Sequence, residues 1–292
     1  CDQPRAISPN RHLAISSALN DFSQIVVRHV VEQEHLGRVI YAGGDDVLAM
    51  LPTADLLSTM QRLRHAYSGS APKDDQTDWG MVRDRQGDVR QRLVLNKGFA
   101  WLNGRLMRMM GEHATASTGA IVAHHQAPLG AVLQELRAAE KRAKNEGGRN
   151  AFSITIVKRS GGALYLTEKW SEPVDLLQDL IGFLRADGTS RRAVYNSLEW
   201  MRDLPEPTDS ATTEMLASLL AYQLDRQAKG SANVQAPELA QRLAQLSYEQ
   251  KSKGLNWLAN FMGVAEFLAR ETRTGSTKAN THTTTESTEA NA

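Results

Sequence analysis

A short stretch in the first quarter of the chain decides the fold: residues 38–51 read RVIYAGGDDVLAML. Two apolar runs rich in β-forming residues flank a tetrapeptide of glycine and aspartate, which is the pattern of a β-hairpin. Pro52 follows at once and closes the second strand, because proline cannot donate to a strand ladder. The sequence therefore predicts a hairpin that carries Gly43, Gly44, Asp45 and Asp46 at its tip.

Helical patterns lie on both sides of this hairpin. Before it, residues 11–35 place apolar side chains on one face at steps of three and four. These side chains are Ile15, Leu19, Phe22, Val26 and Val30. After it, residues 55–67 show the same spacing. The pattern predicts two amphipathic helices packed against the hairpin.

Further elements alternate along the rest of the first half. The polar, poorly periodic segment 68–92 indicates a loop or insertion, and the next stretch favours a helix over residues 96–111. Residues 115–123 and 151–158 have strand patterns, the second pairing with residues 163–167. Between those two strands, a helix is expected from Pro128 to about Glu146.

After Pro173 the sequence loses its strand signals and keeps several helical windows, divided by Pro205, Pro207 and Pro237. We therefore expect an α+β domain over residues 1–172 and an all-α domain over residues 173–272. Residues 273–292 contain nine Ser and Thr residues and no large apolar residue, so we expect a disordered tail there.

The composition excludes several classes of protein. The 34 Lys and Arg residues nearly balance the 33 Asp and Glu residues, giving a net charge of +1, so binding to nucleic acid through overall charge is excluded. A single cysteine cannot form an internal disulfide or a cysteine-based zinc site, and it fits a reducing cytoplasm. No apolar run approaches the 18 residues of a membrane span.

Asp45 and Asp46 are the strongest candidates for chemistry. Adjacent carboxylates on a rigid hairpin can hold the divalent ions that nucleotidyl transfer requires, and glycines let phosphates approach the backbone closely. A plain turn is an equal alternative on the tetrapeptide alone, because glycine and aspartate are default turn residues.

Lys144 is a second candidate, near the end of the predicted helix and just before Gly148-Arg149-Asn150. A lysine is a flexible point charge suited to a polyphosphate. The alternative is an ordinary basic last turn that complements the helix dipole.

Together these motifs resemble the palm domains of nucleotide cyclases. The order is GGDD, then Ser117-Thr118-Gly119, then AK at residues 143–144 and GRN at residues 148–150. Among these cyclases, the chain is most similar to the large subunit of type III CRISPR effector complexes, of the Cmr (III-B) type. Further segments carry that resemblance: residues 12–23, 37–42, 114–119 and 124–129. It covers about residues 7–170, with a helical domain following in the same position.

The resemblance implies a ferredoxin-like palm that converts ATP to cyclic oligoadenylate, a second messenger of antiviral defence, when target RNA binds. It implies that Asp45 and Asp46 hold Mg²⁺ or Mn²⁺, and that Gly43 and Gly44 border the phosphates. Lys144 would meet the polyphosphate. It further implies other effector subunits, crRNA and target RNA as partners.

Ser117 is a weaker candidate for the nucleobase pocket, and a small residue packed in a strand is equally compatible with it. We expect the neighbouring histidines, His124 and His125, to point to opposite sides of a strand end, so that they do not share a metal.

One element of the family is missing from the sequence. A palm has a strand before its first helix, which carries another metal-binding carboxylate, and residues 1–10 contain no candidate for it. We therefore expect an N-terminally truncated palm that by itself folds poorly and is nearly inactive.

Two other functions remain open at this stage: a catalytically silent scaffold of the crRNA complex, and a GGDEF-type diguanylate cyclase. In the helical domain, Arg185, Arg191, Arg192 and Arg202 fit either a solvated helix face or contacts with RNA or a neighbouring subunit.

Overall fold

The computed structural model describes residues 8–71, 81–83, 89–91, 93–186, 189–228 and 232–273. These residues divide into two compact units between Asp175 and Leu176. The tail expected to be disordered lies outside the described residues from residue 274 onward. The elements of the first unit alternate between helices and short strands, whereas the described elements after it are all helical.

The described strands are β1 (Arg38–Gly43), β2 (Asp46–Met50), β3 (Met81–Arg83), β4 (Val89–Gln91), β5 (Val94–Asn96), β6 (Phe99–Leu102), β7 (Arg105–Arg108), β8 (Thr118–Val122), β9 (Ala151–Val157) and β10 (Ala163–Lys169). The described α-helices are α1 (Pro9–Asp21), α2 (Leu56–Ser68), α3 (Leu129–Asn145), α4 (Glu172–Arg185), α5 (Arg192–Trp200), α6 (Ser210–Gln227), α7 (Ala232–Glu249) and α8 (Gly254–Arg273). The strands form four small sheets: β1–β2, β3–β4, β5–β6–β7 and β10–β9–β8.

The first helix continues past α1 as two π-helical segments, Phe22–Val26 and His29–Glu34. A π-helical turn holds more residues than an α-helical turn, so it rotates the preceding residues away from the regular 3.6-residue face. This is why Ile15, expected on the buried face, is 39% exposed, while Val27 and Val31 are fully buried.

The segment predicted as a helix over residues 96–111 is a three-stranded antiparallel sheet, and that prediction was wrong. Both of its turns have two residues with positive φ: Lys97 and Gly98, then Asn103 and Gly104. This is the requirement of type I′ hairpin turns, and it outweighs the helix propensity of the surrounding Leu, Met and Arg residues. The predicted loop over residues 68–92 likewise contains the short strands β3 and β4.

This sheet, together with α2 and the first helix, encloses the larger core of the first unit. Valines of the first helix contact leucines and methionines of β5–β7, and the inner face of the β1–β2 hairpin packs against them. The buried members are Phe22, Val26, Val27, Val30, Val31, Ala66, Leu93, Leu95, Ala100, Leu102, Met107 and Met109.

A second core lies between α3 and the sheet β10–β9–β8. β9 pairs parallel with β8 and antiparallel with β10. α3 approaches this sheet closely because β8 has glycine at the contact: a Cβ at Gly119 would overlap the backbone nitrogen of Glu140. On the same face, Arg142 donates hydrogen bonds to the buried hydroxyls of Ser153 and Thr155, at 3.4 and 2.6 Å.

In the second unit, Pro237 lies inside α7 and does not separate two helices as expected. Two of the arginines considered for partner binding are used within the unit: Arg185 contacts the carbonyl of Leu268 at 3.4 Å, and Arg191 pairs with Glu266 at 3.4 Å. Arg192 and Arg202 are exposed.

Candidate functional site

The β1–β2 hairpin presents its two aspartates at an exposed tip. Gly43 pairs with Asp46, so the loop consists of Gly44 and Asp45. Gly44 has φ +62°, a conformation that favours glycine, and no atom lies within 4 Å of where its Cβ would be. Asp45 and Asp46 are both exposed. The tip therefore offers two adjacent carboxylates beside open space.

Gly43 has a different local role. A Cβ on Gly43 would meet the hydroxyl of Tyr41, whose ring lies along the outer face of the hairpin. Tyr41 and Met50 are 57% and 65% exposed on that outer face. The glycine thus makes room for a tyrosine next to the carboxylates.

The base of the hairpin is anchored firmly, although its tip is exposed. The backbone N–H of Val39 donates to the Glu32 carboxylate at 3.0 Å, and the backbone N–H of Leu36 donates to the buried Asp55 carboxylate at 3.0 Å. β1 also has a one-residue bulge between Val39 and Tyr41. A bulge re-aims the strand that follows it, here the strand that leads to the tip.

The last turn of α2 lies close enough to the hairpin tip for Tyr67 to interact electrostatically with Asp45. Burial, and then the negative charge of Asp45, raise the pKa of Tyr67 in that turn. The Tyr67 ring packs edge-on against Phe22, with centroids 5.2 Å apart. Tyr67 was not among the candidates from the sequence, since its position depends on how α2 packs rather than on a local motif.

A charged network holds α2 against the first helix. Arg62 donates to both oxygens of Glu34, at 2.8 and 3.1 Å, and to the carbonyl of Leu93 at 2.6 Å. Burial would raise the pKa of Glu34, but hydrogen bonds from His29 and Arg62 lower it to about 2. The carboxylate therefore stays ionised, and α2 is fixed where it supports the tip.

The basic candidate residues lie on the α3 side of the unit. Lys144 is exposed near the end of α3 and pairs with Glu140, with 2.6 Å between the ammonium nitrogen and the carboxylate. Within the described residues, no ion pair joins Lys144 to Asp45 or Asp46. The predicted phosphate-binding lysine thus lies on α3, whereas the predicted metal ligands lie at the tip of the β1–β2 hairpin.

The loop after α3 has an unusual backbone. Gly148, Arg149 and Asn150 have φ values of 64°, 60° and 45°, three consecutive residues in the left-handed region. Strained residues of this kind persist only where surrounding contacts hold them. Here the ammonium of Lys169 donates to the carbonyls of Gly148 and Arg149, at 3.1 and 2.8 Å.

Arg64 joins this loop to the hairpin side. Its Nε and Nη2 both donate to Oδ1 of Asn150, at 3.3 and 3.2 Å, and burial lowers the pKa of the guanidinium. Arg64 lies one turn before Tyr67 on α2. The contact therefore links the loop beyond Lys144 to the helix that ends beside Asp45.

The remaining candidates lie around β8. Ser117 is half-buried immediately before the strand, next to Ala116, whose carbonyl accepts from the indole of Trp170 at 3.1 Å. The rings of His124 and His125 are in contact, with centroids 4.2 Å apart, so the expectation that they point apart was wrong. β8 ends at Val122, and strand alternation does not apply beyond it.

The small number of carboxylates at the tip limits the kind of metal site that it could form. No group of three or more His, Cys, Asp or Glu residues suited to a metal occurs in the described part of the chain. Mg²⁺ commonly needs only one or two protein carboxylates, because waters and substrate phosphates complete its octahedral shell. Asp45 and Asp46 are a donor set of that type.

Part of the chain matches a known family. Residues 2–80 and 94–153 match the family described as Cas10/Cmr2, second palm domain. Those residues belong to that palm domain family. The matched range contains the hairpin, α2, Ser117, α3 and Lys144, and it leaves out residues 81–93.

The two curated relatives are both named as Cmr2 subunits of a CRISPR system. The chain is 26% identical over 242 residues to the CRISPR system Cmr subunit Cmr2 of Pyrococcus furiosus, covering 81% of this chain and 23% of the relative. It is 33% identical over 132 residues to the Cmr2 subunit of Saccharolobus solfataricus, covering 44% of this chain and 11% of the relative. The chain therefore spans less than a quarter of the length of these relatives.

A solved structure shares the fold. A chain in the type III-B Cmr-beta cryo-EM structure of the apo state aligns with a TM-score of 0.55 at 20% identity, over 77% of this chain and 22% of that one. Among the helices described for the present chain, none is both long enough and apolar enough to cross a lipid bilayer.

Proposed function

We propose that this chain is the nucleotidyl-transferase part of the large subunit of a type III-B CRISPR effector complex, and that it converts ATP to cyclic oligoadenylate when target RNA binds. The observation that carries the proposal is the exposed Asp45–Asp46 pair on an anchored hairpin tip, within a segment that matches the second palm domain family. The names of the relatives support other subunits of a type III-B complex as partners. We propose crRNA and target RNA as further partners of the assembled complex.

In the proposed reaction, the 3′-hydroxyl of one ATP attacks the α-phosphate of another, and pyrophosphate leaves. Asp45 and Asp46 hold Mg²⁺ or Mn²⁺, which when bound supplies positive charge to the reacting oxygens. The open space over Gly44 admits a phosphate to the backbone. Lys144 exchanges its exposed pairing with Glu140 for the polyphosphate, and such an exposed ion pair is weak enough to exchange. Ser117 lines the nucleobase pocket.

We also propose that the small sheets are parts of one ferredoxin-like palm followed by an all-α domain. β8 is an edge strand of its described sheet, and the β1–β2 hairpin has no described third strand. A further strand between β2 and β8 would pair both edges. A structure of the full assembly is expected to show that strand, and direct pairing of β2 with β8 would contradict it.

The decisive experiment uses the assembled effector complex with ATP, Mg²⁺ and target RNA. Asp45→Asn combined with Asp46→Asn is expected to reduce oligoadenylate by at least about a hundredfold, because loss of metal ligands removes several kcal/mol of charge stabilisation. The matched control is Asp203→Asn with Asp225→Asn, two exposed aspartates of the second unit, which should leave synthesis unchanged.

The outcomes separate the competing functions. Unchanged oligoadenylate synthesis in the Asp45 and Asp46 variant would show that the chain is a silent scaffold. Cyclic diguanylate formed from GTP would instead indicate a GGDEF-type cyclase.

A further inference from the structure

The β5–β6–β7 sheet has one buried face. On its opposite, open face Val94 of β5 is buried, whereas the side chains of β6 and β7 are exposed or half-buried. Leu95, Ala100 and Met107 point into the core. The residues between them in the ladder point outward: Phe99 is 42% exposed and Leu106 is 59% exposed. An antiparallel sheet with one solvated face ordinarily carries polar side chains there, so this apolar character needs an explanation.

The open face carries two aromatic rings on its central strand. Phe99 and Trp101 are two residues apart on β6, so they lie on the same face about 7 Å from each other. Asn96 pairs with Phe99 on one side, and Arg108 pairs with it on the other. Trp101 is half-buried, and Leu106 of β7 is its cross-strand partner.

The charge of this segment has one sign. Residues 93–111 contain Lys97, Arg105 and Arg108 and no aspartate or glutamate. Arg105 belongs to the inner face, where it pairs with Asp21 of α1 at 2.6 Å. Lys97 and Arg108 are exposed at the edge of the two rings.

We propose that this open face, made by Asn96, Lys97, Phe99, Trp101, Leu106 and Arg108, binds single-stranded nucleic acid. Aromatic side chains on an exposed sheet stack successive bases, and nearby cations meet the phosphates. The exposed cations Lys97 and Arg108 beside the rings, with no carboxylate in residues 93–111, complement a polyanion in charge.

Binding at this face would affect the candidate catalytic tip, and this part of the inference rests on the proposed function. The N–H of Gly98 donates to the carbonyl of Gly69 at 3.1 Å, and the N–H of Met110 donates to the carbonyl of Tyr67 at 3.1 Å. The open face is thus joined to the last turn of α2, which lies beside Asp45. A nucleic acid bound there would act on the element that supports the candidate catalytic tip.

The test measures binding of a fluorescein-labelled oligouridine 15-mer to the full-length polypeptide by anisotropy over a range of salt concentrations. Phe99→Ala is expected to raise the Kd about tenfold, from the loss of one stacked base. Arg108→Gln is expected to reduce the slope of log Kd against log salt by about 0.7, the value for one phosphate contact on a single strand.

The matched controls are Tyr222→Ala and Arg226→Gln. Tyr222 and Arg226 form an exposed aromatic–arginine pair on α6, with 3.1 Å between the tyrosine hydroxyl and the guanidinium. Both controls should bind as the parent does. Ultraviolet cross-linking of the unmodified protein, read by mass spectrometry, should place uridine on Phe99 or Trp101, which tests the site even if a variant misfolds.

Several results would overturn the proposal. Equal losses in the Phe99 and Tyr222 variants would indicate non-specific binding, and cross-links confined to other segments would place the strand elsewhere. Full RNA affinity in Phe99→Ala, together with loss of a neighbouring subunit from the assembly, would identify the face as a protein-docking surface.

Measuring oligoadenylate synthesis and oligouridine binding in the same variants tests the proposed function and this inference separately. Asp45→Asn with Asp46→Asn should abolish synthesis and leave oligouridine binding intact. Phe99→Ala should weaken binding whether or not the chain makes oligoadenylate.

Discussion

The first unit contains two substructures that place their candidate residues in different surroundings. The hairpin half, residues 9–108, exposes its candidate residues: Asp45 and Asp46 lie at the tip of a hairpin whose inner face is partly buried. The α3 half, residues 118–170, holds its candidate loop by internal contacts, with Lys169 bonded to two carbonyls of that loop.

The two halves therefore meet different structural requirements. Exposed carboxylates leave their ligand positions available to metal and water, whereas a strained loop needs contacts to keep its shape. Arg64 and Asn150 connect the two halves by a side-chain hydrogen bond.

The largest effect is expected from Phe152→Ala in the α3 half. Phe152 is fully buried and packs against Trp170, with ring centroids 4.9 Å apart, so its removal leaves a cavity. We expect a loss of about 3–5 kcal/mol in the free energy of unfolding. Hydrogen exchange should increase in β8, β9 and β10 and much less in β5–β7. Phe99→Ala, at an exposed position, serves as control, and equal effects of the two would contradict the separation of the cores.

A smaller effect is expected from Gly119→Ala. The added Cβ overlaps the backbone of Glu140, so α3 must move away from β8. Overpacking of this kind costs about 1–3 kcal/mol, measured as a lower unfolding midpoint. Gly130→Ala, in the same helix region with open space around the Cβ position, should be neutral or stabilising. Tolerance of alanine at both sites would show that the contact is adaptable.

The connection between the halves should be worth about 1 kcal/mol, the typical net value of a hydrogen bond. Arg64→Met and Asn150→Ala, made singly and together, form a double-mutant cycle measured by chemical unfolding. A coupling free energy near zero would show that the two halves are independent. Arg62→Met is not a suitable control because it also breaks the network with Glu34.

A pH-dependent effect is expected in the hairpin half between about pH 6.5 and pH 4. Burial, and then the charges of Arg64 and Arg62, lower the pKa of His65 from 6.5 to about 4. The unfolded chain therefore takes up a proton at higher pH than the folded chain does, and stability falls as the pH drops from about 6.5 towards 4. His65→Gln should flatten this dependence in pH-dependent unfolding curves. An unchanged slope would assign the dependence to other groups.

Acid stability has a second contribution at lower pH. Glu34, whose pKa is lowered from 4.5 to about 2, should add a further loss of stability below about pH 4.5. This loss should persist in His65→Gln.

The two sheets of the hairpin half show where sequence reasoning succeeded and failed. The β1–β2 hairpin was predictable because two short apolar runs flank a Gly/Asp turn within residues 38–51. The β5–β7 sheet was missed because its strands contain Leu, Met and Arg, which favour helix, although Asn103-Gly104 is a strong hairpin signal. The aromatic residues on β6 were not recognised as one face of a sheet, because residues 96–111 were expected to be helical.

The sequence by itself determined the candidate chemistry: the adjacent aspartates, the glycines beside them and Lys144 all belong to local motifs that resemble one family. Tertiary structure decided the surroundings of these residues. Tyr67 beside Asp45, Arg64 on Asn150 and Gly119 against α3 join residues that are distant in the chain. Such contacts depend on how helices pack on sheets, which local patterns do not encode, because a pattern defines a face of an element but not the partner that covers it.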